Sequence, residues 1–277
     1  MVTATRTSFR EAKEVAIPRA VARPRTAVVR ALSRLETKKL LTSPAFFAGL
    51  GLVGAFFLLS TVGAFFASGD EGASAPPPVG AMLVLGAGVG LIAGSLMGAN
   101  ACALRAHRDR LGELFGSLPA PPETRTAAVV GALLAGPVLL STIVAVVAYP
   151  VLRGAVDADS RASIDLALLA QIPLTALAFG TVGIALARWI RHPAAAPVAF
   201  VAYVMTGLMW LVPVIAEGSS GIRVGWHYTF LVAVIVLCVS LAFAGDRRQI
   251  RALTIPAIAL VAVIVSASIQ VPPGGLT

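Results

Sequence analysis

The chain has 277 residues, 57% of them hydrophobic and only 13% charged, with a mean hydropathy of +0.88. Soluble domains carry about 25% charged residues, so this composition cannot cover a water-facing surface and excludes an ordinary soluble enzyme or binding module. The net charge of +9 would suit nucleic acid only as a continuous patch; here the basic residues fall in short intervals between apolar runs, and no nucleic-acid partner is expected.

In chain order, residues 1–25 have low hydrophobicity, scattered charge and two prolines, Pro18 and Pro24, and read as a disordered basic tail. They do not read as a cleaved signal peptide, because no short apolar core follows the first charges. Residues 26–43 change character. Arg30, Arg34 and Lys38 recur every four residues, while Val28, Ala31, Leu32 and Leu35 lie on the other side. That is an amphipathic helix suited to the headgroup layer, so the lipid bilayer is the first expected partner.

Residues 44–277 are expected to form an all-α bundle. A spanning helix needs roughly 20 apolar residues to cross about 30 Å of hydrocarbon. Seven runs qualify: Ala45–Ala67, Val79–Leu104, Ala127–Leu152, Ile164–Ala187, Pro193–Ala216, Trp226–Ala244 and Ala252–Val271. The last leaves a choice between six spans and seven, since it also suits a re-entrant segment. The first is marked by "TSPAFF", with Ser43 as N-cap and Pro44 at the first helical position. With the N-terminus inside, nineteen basic residues fall in inner intervals and only Arg153, Arg161 and Arg223 in outer ones, which satisfies the positive-inside rule.

The second span carries Gly86, Gly90, Gly94 and Gly98 at every fourth position. This puts them on one stripe and lets another backbone come close. They do not follow a strand and are not spaced as a dinucleotide fingerprint. Proline recurs inside the apolar runs, at Pro137, Pro150, Pro173, Pro197, Pro213 and Pro256, where each is expected to remove a backbone hydrogen bond and favour a kink.

Charged residues are missing from the middle of every span; the polar groups there are Asn100, Gln171 and scattered hydroxyls. Ion-coupled transport usually uses intramembrane carboxylates, histidines or lysines, so the chain is not expected to draw energy from an ion gradient. "GSSG" at Gly218 to Gly221 fits the GxSG pattern of rhomboid serine proteases, with Ser220 as nucleophile and His227 as base. Both nevertheless lie in one outer interval, and a Gly/Ser loop is the simpler reading. The two cysteines, Cys102 and Cys238, show no ligand spacing, and with no HExxH pattern either, no metal or other cofactor is expected.

The longest inner interval, residues 105–125, reads "RAHRDRLGELFGSLPAPPETR". Leu111, Leu114, Phe115 and Leu118 fall near one helical stripe, Arg105, Arg108, Asp109 and Glu113 occupy other faces, and Pro119 ends the helix. Such an apolar edge needs a surface to pack on. Here the order of features resembles the ABC-2 type permeases, the membrane subunits of ATP-driven transporters. "ALSRLETKKLLTSPAFFAG" is similar to their elbow helix entering the first span, with Glu36 among basic residues. "NACALRAHRDRLGELFGSLPAPPETRTAAVV" resembles the segment between their second and third spans, with "GEL" in place of their "GTEL" or "GSEL". The resemblance covers about half the chain.

It implies that Leu111 to Leu118 is a coupling helix docking on a separate ATPase, with Arg108 and Glu113 as polar contacts. Two ATPase copies and a second permease protomer, identical or homologous, are then the implied partners in a bacterial plasma membrane. The expected cargo is a lipophilic or amphipathic compound moving outward. The chain has no GxxxxGK[ST] sequence, so ATP hydrolysis would belong to the partner. Family members usually have six spans, which the seventh apolar run here departs from. The competing reading is a noncatalytic membrane scaffold whose inner helix recruits another soluble protein.

Overall fold

The computed structural model describes residues 25–49, 51, 55, 58, 79–108, 122–146, 166–205, 224–247 and 253–270. All regular structure among them is helical. In chain order, α1 is Arg25–Leu41, α2 is Val79–Arg108, α3 begins at Pro122–Leu133, α4 is Leu166–Trp189, α5 is Ala195–Met205, α6 is Val224–Arg247 and α7 is Thr254–Gln270. A further helical segment, 44–49, opens the first apolar run. The tail up to residue 24 lies outside the described residues.

Among the described residues three helices are long and apolar enough to cross a bilayer, over Glu123–Val146, Ala170–Trp189 and Gly225–Gly245. At 1.5 Å per residue they are roughly 36, 30 and 32 Å long, against about 30 Å of hydrocarbon. The distribution of side chains points the same way. Ser95, Thr126, Ser141, Gln171 and Thr181 are fully buried, while Ile258 is 72% exposed and Leu134, Leu139, Ile143 and Val146 line the outside of α3. Small polar side chains buried within an apolar core, with large aliphatic side chains on the outer surface, are the pattern of a membrane protein. Several buried hydroxyls bond backward along their own helices, Thr175 to the Gln171 carbonyl at 2.8 Å and Thr181 to that of Ala178 at 2.7 Å, which satisfies these donors without water.

The middle helix is α4, which packs on α2, α3, α5 and α6. Helices α2, α4 and α6 run parallel. Gly183 of α4 lies against Leu96 and Asn100 of α2, the Phe179 ring meets Tyr203 of α5 edge-on at 5.0 Å, and the Trp189 indole donates to the Leu241 carbonyl of α6 at 3.0 Å. The outermost described helix is α7, which packs on α6 and exposes Ile255, Ile258, Val261 and Ile264.

Helix boundaries follow local chemistry. Ser43 Oγ accepts from the Phe46 amide at 3.2 Å, a cap that contributes about 1 kcal/mol, and Pro44 opens the helix. α3 begins at Pro122, five positions before the apolar run, because proline suits the first helical position and Glu123 favours the first turn. The prolines differ in effect. Pro137 removes the amide that would bond the Leu133 carbonyl, and α3 widens into a π turn over Leu134–Val138. The Ser141 and Thr142 hydroxyls both donate to the Val138 carbonyl just beyond it, at 2.9 and 2.7 Å. Pro173 lies inside α4. Pro197 and Pro256, by contrast, sit in the first turns of α5 and α7, where the missing N–H has no intrahelical acceptor, so these two are not the interior kinks that the apolar runs imply. Pro150 and Pro213 lie outside the described residues.

Candidate functional site: the basic end of the bundle

The C-terminal ends of α2 and α4 and the first half of α3 meet in one apolar cluster that includes Ala103, Leu104, Val129, Leu133, Ala187 and Leu40 of α1. Arg105, Arg125 and Arg188 therefore gather at one end of the molecule. The interval that carries the apolar stripe is anchored there on both sides. Arg108 is the last residue of α2 and Pro122 the first of α3. Leu111, Glu113, Leu114, Phe115 and Leu118 themselves lie outside the described residues, as does the surrounding of the Arg108 side chain.

Helix α1 closes this end along α3. A Cβ on Gly131 would lie 2.8 Å from the Ser33 hydroxyl, and one on Gly136, in the π turn, 3.5 to 3.6 Å from Leu41 and Thr37. Glycine is what lets α1 lie this close. Glu36 turns toward the molecule and meets Lys39 at 3.9 Å. The face that α1 presents to the protein runs through Val29, Ser33, Thr37 and Leu40, whereas Ala31 and Leu35, grouped with Val28 and Leu32 by the sequence pattern, are exposed.

The glycine stripe of α2 faces the start of the first apolar run. A Cβ on Gly49 would meet Gly90 O at 2.5 Å and Gly94 Cα at 2.6 Å. Gly94 lies against Phe46 and Gly49, and Gly98 against Ser43, Phe46 and Leu40. Gly86 occupies the same helix one turn earlier. Sequence reasoning missed a second set of glycines. Gly180 receives the Leu133 side chain of α3, while a Cβ on Gly183 would collide with the Leu96 carbonyl oxygen and sit 3.2 Å from Asn100 N. Their signal is "FGTVGIA" within an apolar run, too short to form a stripe. Beside that contact the Asn100 side chain is 1% exposed, and its amide group has no hydrogen-bond partner.

The turn after α4 belongs to the same end. The Ile190 amide still bonds Leu186 O at 2.8 Å, Arg191 adopts φ 51°, and the Ala194 amide donates to His192 Nδ1 at 3.1 Å. A left-handed backbone at a non-glycine residue costs about 1 kcal/mol. It lets the chain reverse within five residues into α5 and leaves Trp189, Ile190 and Arg191 exposed.

At the far end of α6 His227 is 1% exposed and stacks on Phe230 with centroids 6.3 Å apart; Ser220 lies outside the described residues. Among the described residues no group of three His, Cys, Asp or Glu side chains could hold a metal ion. No protein-family model matches the chain, no characterised protein matches it in sequence and no solved structure matches it in fold.

Proposed function

We propose that this chain is the permease subunit of an ATP-binding cassette transporter of the ABC-2 type. Its inner segment, Leu111 to Leu118, docks in a groove of a separate ATPase, with Arg108 and Glu113 at the rim. Two ATPases act on two permease protomers, and closing of the ATPase pair shifts the bundle between conformations through its differential affinity for them. The cargo is a lipophilic or amphipathic compound, moved outward. The observation that supports this reading is the position of the flanking residues: Arg108 ends α2 and Pro122 opens α3 at the basic end, where α1 packs on α3, and the apolar stripe of the intervening sequence is joined to both helices. Movement of that segment bears directly on the two helices that flank it. The chain has no P-loop, which accords with an energy supply from outside.

The membrane topology belongs to the same proposal. The basic end faces the cytoplasm of a bacterial plasma membrane, the N-terminus is inside, and the chain crosses six or seven times. Seven crossings put the C-terminus outside. α7, at 17 residues and about 26 Å, falls a little short of the roughly 30 Å hydrocarbon thickness. A cysteine placed at Gly275 should take up a membrane-impermeant maleimide added to intact cells; labelling only after lysis would reduce the count to six.

The permease reading is tested by co-purification. A tagged chain extracted in mild detergent should bring down a nucleotide-binding chain with a P-loop, in equimolar amount. Recovery of a soluble partner without a nucleotide site would instead favour the scaffold, and recovery of neither would reject both.

A further inference from the structure

The roll of α1 about its own axis is fixed by the contacts of Ser33 with Gly131 and of Thr37 and Leu41 with Gly136, and by Leu40, which is fully buried. What this leaves outside is two neighbouring rows. One is Arg30, Arg34 and Lys38, all exposed; the other is Ala27, Ala31 and Leu35, also exposed, with Leu35 at 57%. Positions three apart are separated by about 60° round a helix, so the basic row runs directly beside the apolar one. The one acidic residue of the helix, Glu36, is turned inward beside Lys39. The outer face thus carries positive charge and apolar surface and no negative charge.

From this we infer that the outer face of α1 is a binding surface for anionic phospholipid, with Leu35 and Ala31 in the acyl boundary and Arg30, Arg34 and Lys38 at the phosphates. An acidic soluble protein would complement the charge equally well, but continuity favours lipid. α1 leads through Thr42 and Ser43 straight into an apolar run whose outward residues Phe47 and Leu58 are 58% and 64% exposed, so its apolar row joins the surface that the bilayer covers. A basic row beside an apolar row is the pattern of helices bound in the interface plane, and each basic side chain near an anionic leaflet favours binding by about fivefold. Because the opposite face of α1 rests on α3 at the π turn, lipid held here also clamps α1 against the bundle.

The test uses the full-length protein with Leu35→Cys carrying a polarity-sensitive fluorophore; Cys102 and Cys238 are buried, and the parent protein serves as the labelling control. The protein is reconstituted in vesicles of phosphatidylcholine alone or of phosphatidylcholine with increasing phosphatidylglycerol. Emission is expected to shift to shorter wavelength as phosphatidylglycerol increases. In R30Q/R34Q/K38Q, at unchanged yield and helical content, the phosphatidylglycerol fraction giving half the shift should rise more than fivefold. Water-like emission in every vesicle overturns the inference. A shift that is the same in phosphatidylcholine and insensitive to R30Q/R34Q/K38Q overturns the anionic preference, and a shift seen only on adding a soluble extract assigns the face to a protein. No ATPase enters this experiment, so its outcome is independent of the permease reading.

Discussion

Replacing Gly183 with leucine should abolish folded protein, and Gly183→Ala should destabilise it by about 3 kcal/mol or more. The single added methyl of alanine points at the Leu96 carbonyl oxygen and at Asn100 N. Both are backbone atoms of a helix and cannot swing aside as a side-chain tip can. The α2–α4 contact, the most extensive between any two described helices, would have to open along its length. In lipid there is little hydrophobic force to restore it, because apolar surface gains nothing by leaving one apolar medium for another; what holds the helices is close van der Waals fit. Gly51→Ala and Gly225→Ala are the matched controls, since a Cβ at either meets nothing within 4 Å. There, reduced freedom of the unfolded chain should be neutral or stabilising by about 0.4 to 1 kcal/mol. Thermal midpoints from fluorescence-detected size-exclusion chromatography decide the matter. Equal losses at Gly183 and Gly51 would show that the α2–α4 fit is not what holds the bundle together.

Leu114→Asp should uncouple transport without unfolding the chain. On the proposed docking, this substitution removes an apolar anchor and buries an unpaired carboxylate in the ATPase groove. Together these cost about 3 to 5 kcal/mol, a hundredfold or more in affinity. Glu113→Lys, at the rim, should cost nearer 1 kcal/mol and make activity more sensitive to salt. The measurements are ATPase stimulation and transport in reconstituted vesicles, beside the thermal midpoint of each variant. Lost stimulation at an unchanged midpoint is the expected combination. Full stimulation with Leu114→Asp would remove the docking role from this segment and leave its apolar stripe to a different contact.

The sequence exposes the helices here more readily than their partners. Apolar runs between basic intervals mark where α3, α4 and α6 lie, and Ser43 with Pro44 marks a helix start to the residue, because a cap is a local chemical event. Neighbours are another matter. A four-residue glycine repeat says that something approaches α2 closely, but a spacing cannot name Gly49 as that something. Gly180 and Gly183 were missed because they are only two, one meeting Leu133 of α3 and the other Leu96 of α2, so they make no repeat that a sequence pattern would show. The pattern in α1 marks its apolar residues without saying what covers each of them. Ala31 and Leu35 are apolar like the buried residues but lie on the outside, and hydrophobicity alone cannot separate a side chain that meets protein from one that meets lipid. The proposed coupling residues were legible as an amphipathic stripe, yet their groove belongs to another chain, whose shape no residue here encodes.

The π turn at Pro137 settles an arithmetic problem in α3. Val129, Leu133, Pro137, Ser141 and Ala145 are all buried, a repeat of four residues in a helix that turns once in about 3.6. Over those sixteen steps a regular α-helix would rotate the row by roughly 160°, carrying Ala145 to the lipid side. A π turn acts as one extra residue in the winding and takes back about 100° of that drift. The remaining rotation, of the order of 60°, is small enough for the helix to keep a single seam turned inward from Val129 to Ala145.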